Sequence, residues 1–345
     1  MPRPMNSPSP LMGGRRRRTP MRWVPRLVVL LILAGMGVWV VTLVTSSSGG
    51  NGQASAGRAA TALERTSKNA NPNSKLRGQL PVQAPPGISL TSPNALNVHL
   101  RPKPAAAVLF DMDTGRVLWQ LHALRIRPIA SVTKMMTALI VTERLRDDDT
   151  ALITREALHF HGSEVGVLPR GRRVPVRTLL YGALLPSGND AAIALADRVA
   201  GSDADFAKLM NARARQLGLS CTHYASSYGL QDGNKSCAAD MASLARVVMR
   251  VPRIANVVRH EHVSLPFPWL KGGRLDLYST NPLLRFGYRG TIGLKTGSTN
   301  AAGICLVAVV HRETHTLGVV LLHSPNIGAQ AMQLFNAGFR ALRGV

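Results

Sequence analysis

Apolar and polar positions divide the chain into stretches of different texture. Residues 27–44 are apolar but for Thr42. Residues 45–103 are rich in Ser, Gly, Ala, Asn and Pro with little sustained apolar periodicity, as in a flexible stalk. Period-two alternation begins near Ala105: residues 105–111 and 116–122 read as a hairpin turning at Asp113-Thr114-Gly115. Helical periodicity follows over residues 131–146 and 176–185, then over 190–200 and 203–216, the last closed by Gly218. A further helix is expected over 237–249, with Asp240 at its positive end. Three strand-like runs, 290–295, 303–311 and 316–323, precede an amphipathic helix over 327–342. Strands, many helices, strands and a helix in that order imply an α/β fold of the α+β type. Its antiparallel sheet is built from both ends of the domain, flanked by helices, and carries an inserted all-helical subdomain. The chain thus reads as a basic tail (1–26), an apolar span (27–44), a stalk (45–103) and a folded domain (104–345).

Charge changes the picture at the N-terminus. The formal net charge is +24, and Arg15 to Arg18 with Arg22 and Arg26 cluster just before the apolar span. Elsewhere the cations are scattered, with no zinc-knuckle spacing, aromatic-basic interleaving or basic zipper, so a nucleic-acid partner is not expected. Eighteen apolar residues meet the lower limit for crossing a bilayer, and Trp23 and Trp39 lie near the ends. The Arg cluster would hold the tail in the cytoplasm and send the rest out, giving a single-pass membrane protein with its folded domain outside. A secreted protein is the alternative, released by signal cleavage. The apolar core is long for a signal peptide, and the nearest small-residue cleavage signal, Ala54-Ser55-Ala56, lies far downstream.

Export permits a disulfide between Cys221 and Cys237, with free thiols the equal alternative, while Cys305 lies in an apolar run and reads as a core thiol. No C-x-x-C motif is present. His260-Glu261-His262 would put two imidazoles on one strand face, a pattern available to zinc, but no third ligand has a diagnostic spacing. Surface histidines are the favoured account there and at His159 and His161. Arg170, Arg172 and Arg173 read as a solvated loop, with the entrance of a cleft as the sharper alternative.

Three short motifs carry candidate chemistry. Ser131-Val132-Thr133-Lys134 opens a predicted helix, where positions i and i+3 share a face, and Ser131 is the one serine three residues ahead of a lysine. A serine hydroxyl needs a neighbouring base to act as a nucleophile, and a lysine serves only when desolvation or a nearby cation depresses its pKa. Ser187-Gly188-Asn189 lies between two predicted helices; alone it reads as a turn with a helix cap. Lys295-Thr296-Gly297 ends a predicted strand; alone it reads as a strand end with an exposed lysine.

Together, in this order and on these elements, the motifs resemble those of the penicillin-recognising serine peptidases and β-lactamases. The likeness is greatest to the D-alanyl-D-alanine carboxypeptidases of low molecular mass and covers about residues 104–345. It extends to Phe110-Asp111 with Thr114-Gly115-Arg116-Val117-Leu118, to Pro128 through Ala138, to Leu179-Leu180-Tyr181-Gly182, to Asp190-Ala191-Ala192, and to Phe206 with Met210-Asn211. There are departures. Ile129 stands where the family has Pro, and Ser298-Thr299 where it often has an aromatic or His before Thr. Ser236-Cys237-Ala238-Ala239-Asp240 only echoes a family stretch. Many members add a β-rich C-terminal domain and a terminal amphipathic helix; here the anchor is expected at the N-terminus instead.

The resemblance implies a serine D-Ala-D-Ala carboxypeptidase acting on peptidoglycan stem peptides, acylated by β-lactams, with no metal or organic cofactor. Ser131 would be the nucleophile, Lys134 its base and Ser187 the proton relay to the leaving amine. Asn189 would hold the substrate backbone, and Lys295 and Thr296 its carboxylate. Gly297 would admit the substrate backbone, and the N–H groups of Ser131 and Ser298 would hold the oxyanion. Alternatives are a D,D-endopeptidase of the same family, a serine β-lactamase and a non-catalytic penicillin sensor. No Glu-x-x-x-Asn pattern supplies the deacylating glutamate of class A β-lactamases, and the tail is short for a signalling domain.

Overall fold

The computed structural model describes residues 87–90, 94–160 and 162–343. The expected tail and apolar span lie outside the described residues, as do His161 and most of the stalk. Among the described residues no helix is long and apolar enough to cross a membrane.

The first hairpin is β1 (Ala106–Asp111) and β2 (Val117–Leu121), and the Asp111 carboxylate accepts from Asp113 N, Thr114 N and Thr114 Oγ1 to shape its turn. Short β3 (Arg127–Pro128) leads into a 3-10 turn, Ala130–Thr133, and then α1 (Lys134–Arg144). β4 (Thr150–Leu152) pairs with β5 (Arg173–Pro175) ahead of α2 (Val176–Leu184), α3 (Asn189–Ala200) and α4 (Asp203–Gln216). Ser202 caps α4 by accepting from Asp205 N at 3.1 Å. β6 (Lys235–Ser236), α5 (Ala238–Val248) and α6 (Pro252–Val258) follow, then the hairpin β7 (His262–Pro266) and β8 (Arg274–Tyr278). After α7 (Pro282–Arg285) come β9 (Thr291–Thr299), β10 (Gly303–Arg312), β11 (His315–Leu322) and α8 (Ile327–Arg343).

Five strands form one antiparallel sheet in the order β2-β1-β11-β10-β9, closed by both ends of the domain as expected. Its strands send alternate residues to two cores. Val108, Phe110, Val307, Val309 and Val320 face the helical body, while Leu109, Leu306, Val310, Val319 and Leu321 pack on α8 through Leu334, Phe335 and Phe339. α1 is buried from Lys134 to Thr142, so it runs through the interior as a helix with no solvent stripe.

Three sequence expectations are corrected. The expected stalk runs to residue 103, but packing begins within it: Ser89 N donates to Gly115 O, Leu100 is buried, and Gln330 donates to Pro102 O. Buried Arg246 ties this entry to the first hairpin by donating to Gly87 O, Met112 O and Asp113 O. A polar, Pro-rich stretch has no periodicity of its own, yet its backbone groups find partners on the sheet rim. Lys295-Thr296-Gly297 does not end its strand, because pairing of Thr299 with Gly303 carries β9 four residues past Lys295. His260 lies in the turn after α6 rather than on a strand with His262. It packs edge-on against Tyr181, whereas His262 stacks on Tyr278 and meets Asp276.

Cys221 and Cys237 form a disulfide, and Cys305 is a buried thiol. Asp240 sits in the first turn of α5 and accepts from Cys221 N and Thr222 Oγ1. His159 pairs with Arg155, and exposed Arg170 and Arg172 lead into β5, whose first residue is exposed Arg173.

Candidate active site

The three motifs meet between the helical body and the free edge of β9. Ser131 lies in the 3-10 turn, where residues i and i+3 eclipse, so Lys134 falls directly over it. Lys134 Nζ is 2.9 Å from Ser131 Oγ, 2.8 Å from Asn189 Oδ1 and 2.8 Å from the Tyr228 carbonyl. A neutral amine has two hydrogens and one lone pair. The two carbonyl oxygens take the hydrogens, and the lone pair is left facing the Ser131 hydroxyl, which of these three partners is the one able to donate.

The electrostatics favour that neutral form. Lys134 is fully buried, and burial holds its pKa well below the usual lysine range; the charge of Lys295 pushes it further down, against an opposing pull from Asp190. Burial also brings Lys295 down to about 7. Lys295 Nζ donates to the Thr296 carbonyl at 2.9 Å.

Two glycines set the distances. A side chain at Gly297 would come within 2.8 Å of Ser131 N and 2.9 Å of Ile129 O, so this glycine lets β9 lie against the nucleophile turn. This contact inside the protein, as well as the expected approach of substrate backbone, requires the glycine. Gly229, with φ +92°, presses on the Ala130 carbonyl, where a Cβ would clash, and so brings the Tyr228 carbonyl to Lys134.

Ser187 takes φ +70° and Ala130 φ +49°, both in the left-handed region that non-glycine residues avoid. Among the described residues, buried Ser187 Oγ has no hydrogen-bond partner, and neither has Asn189 Nδ2. Ser187, two residues before Asn189, makes no hydrogen bond to Lys134, whose direct partners are Ser131, Asn189 and Tyr228. Asp190 secures this wall by accepting from Val165 N, Gly166 N and Ala191 N. Ser298 is exposed on β9 next to Gly297, and Thr296 Oγ1 lies 2.5 Å from Thr280 Oγ1.

Sequence reasoning misses Tyr228, Gly229 and Thr280. The one signal for the first two is the Ser/Gly-rich run Ser226-Ser227-Tyr228-Gly229, which marks a turn and nothing more.

A serine whose hydroxyl faces a buried lysine of depressed pKa, with a second lysine on a strand edge beside it, is equipped for acyl transfer. The D-alanyl-D-alanine carboxypeptidase family model matches residues 96–326. The chain belongs to that family. DacB2, a D-alanyl-D-alanine carboxypeptidase of Mycobacterium tuberculosis, is 35% identical over 242 residues, covering 67% of this chain and 81% of the relative. DacF of Bacillus subtilis is 34% identical over 215 residues, covering 59% of this chain but 53% of the relative. The chain therefore spans about half the length of that curated carboxypeptidase. Among solved structures, the Streptomyces K15 DD-transpeptidase superposes with a TM-score of 0.64 at 32% identity, covering 70% of this chain and 100% of that one. The fold is that of the DD-transpeptidases, as the motif order implies.

Proposed function

We propose that the protein is a serine-type D-Ala-D-Ala carboxypeptidase acting on peptidoglycan stem peptides and covalently inhibited by penicillins. The observation that carries this reading is the 2.9 Å approach of Ser131 Oγ to a buried lysine whose other two partners are carbonyl oxygens. Lys134 takes the Ser131 proton as Oγ attacks the carbonyl between two D-alanines. The oxyanion develops toward the backbone N–H groups of Ser131 and Ser298. Lys295, with Thr296, holds the substrate carboxylate, and Asn189 Nδ2, with no partner among the described residues, donates to the substrate backbone. Ser187 Oγ, in the same condition, passes the proton to the leaving amine, and water then releases the acyl-enzyme.

The family likeness to carboxypeptidases of several bacteria supports the choice of reaction. An endopeptidase is the second reading, because the D-alanyl-D-alanine endopeptidase of Escherichia coli is 33% identical over 214 residues. Mass spectrometry of products from purified muropeptides, with and without penicillin, separates the two. Loss of one D-Ala from pentapeptide stems, blocked by penicillin, is expected. Cleavage of cross-linked dimers with pentapeptides left intact would replace carboxypeptidase by endopeptidase. The basic tail and apolar span support tethering to the cell membrane with the domain outside, the placement at which wall peptides are met.

A further inference from the structure

The strand wall of the cleft includes a hydroxyl outside the three motifs. Thr280 lies between β8 and α7, exposed, with its Oγ1 2.5 Å from Thr296 Oγ1. It also reaches across to the helical body, where both its N–H, at 3.1 Å, and its hydroxyl, at 3.3 Å, approach the carbonyl of Leu185, two residues before Ser187. Thr280 therefore bridges the two walls at the end of the cleft where Thr296 points.

Two hydroxyls in contact have two hydrogens, one of which joins them. If Thr296 donates to Thr280, the hydrogen of Thr296 is used up and cannot reach a ligand. If Thr280 donates to Thr296, the hydrogen of Thr296 stays free. A bound anion decides between the two, because it accepts the hydrogen of Thr296 and leaves Thr280 to donate to Thr296. Hydroxyl bonds are best near roughly 2.7–2.8 Å and weaken beyond about 3.0 Å. At 3.3 Å the Leu185 carbonyl, which also takes the Thr280 N–H, is the longer and weaker acceptor for the Thr280 hydroxyl. With an anion at Thr296, the Thr280 hydrogen moves from this long contact to the 2.5 Å contact with Thr296.

We infer that Thr280 is a positioning residue for the substrate carboxylate: by donating to Thr296 it orients the Thr296 hydroxyl, whose hydrogen then points to the anion. This rests on the proposed function, in which Thr296 and Lys295 receive the carboxylate of the leaving D-alanine. The chain of two hydroxyls ending on an anion also strengthens the terminal bond, because each donor polarises the next. The expected selectivity is for leaving groups that carry a carboxylate, and the contribution is to ground-state and transition-state binding alike. It would therefore move KM more than kcat.

The test compares two acyl-D-alanyl thioesters, one with a thioglycolate leaving group and one with its methyl ester, so that they differ only in the carboxylate. Thr280→Val keeps the shape and removes the hydroxyl; Thr280→Ser keeps the hydroxyl. The valine variant should lose about three- to tenfold in kcat/KM on the thioglycolate, mainly through KM, and stay within about twofold on the methyl ester. The serine variant should retain the selectivity of the parent. Stoichiometric labelling of each variant by fluorescent penicillin shows that the cleft is folded. Equal losses on both esters, or none on either, with the parent active, would overturn the role of Thr280 and leave the proposed function standing. A parent that turns over neither ester would overturn both.

Discussion

On the helix wall of the cleft, Lys134 has three oxygen partners contributed by three separate segments, namely the 3-10 turn, the start of α3 and the loop at Tyr228. On the strand wall, Lys295 has the Thr296 carbonyl, and its side chain lies beside a strand edge to which no further strand pairs among the described residues. Both are buried, and burial depresses both pKa values, but their surroundings differ. Two carbonyls and a hydroxyl suit a neutral amine at Lys134. In the proposed function a substrate carboxylate beside Lys295 would raise its pKa from about 7, the value to which burial brings it, favouring the charged form. In the proposed reaction two like residues would divide the labour of base and anion holder, and the charge of Lys295 lowers the pKa of Lys134.

The largest effect is expected where the walls meet the nucleophile. Ser131→Ala should abolish covalent labelling by fluorescent penicillin while circular dichroism and the melting transition stay close to the parent. Labelling that persists in a folded Ser131→Ala protein would place the nucleophile elsewhere and dissolve the comparison.

A smaller effect sharpens it. Lys295→Ala should slow acylation by about 10- to 100-fold, the loss of a hydrogen bond to a charged group. It should also move the acid limb of the pH–rate profile upward, because Lys134 loses the second of its two depressing influences and keeps burial, the first. For stability the sign is fixed by linkage. Between the folded pKa of Lys295, about 7, and an unfolded value near roughly 10.4, the unfolded chain binds more protons, so stability rises with pH through that window. The melting temperature of the parent should gain between pH 7 and pH 9, and part of the gain should vanish in Lys295→Ala. An acid limb that stays in place would leave burial as the only tuning of Lys134.

The smallest effect on the cleft should come from the disulfide. Replacing Cys221 and Cys237 by Ser opens a bridge spanning 16 residues and should lower stability by roughly 3 kcal/mol. The acylation rate should stay within about a factor of two, since neither sulfur touches the lysines. A large loss of acylation would mean that the bridge positions the site as well as stabilising the fold.

Much of this molecule is legible in its local chemistry. Alternation and helical periodicity name the elements, because a strand or helix must bury one face, and β10, β11 and α4 have nearly the expected bounds. The i, i+3 spacing of Ser131 and Lys134 announces their contact, since it depends on one turn of backbone. Contacts made by backbone atoms across long separations leave no such mark. The Tyr228 carbonyl is 94 residues from Lys134 along the chain, and a carbonyl is carried by every residue, so nothing in the letters singles it out. Gly297 speaks only of a permissive backbone; that Ser131 N lies against it is decided by how β9 docks. Thr280 is one of many threonines until the fold sets it 2.5 Å from Thr296. The sequence determined which residues can do chemistry and which element bears each, because those follow from side-chain type and local period. The tertiary structure decided their protonation states and their partners, because burial and close approach are properties of the packed chain alone.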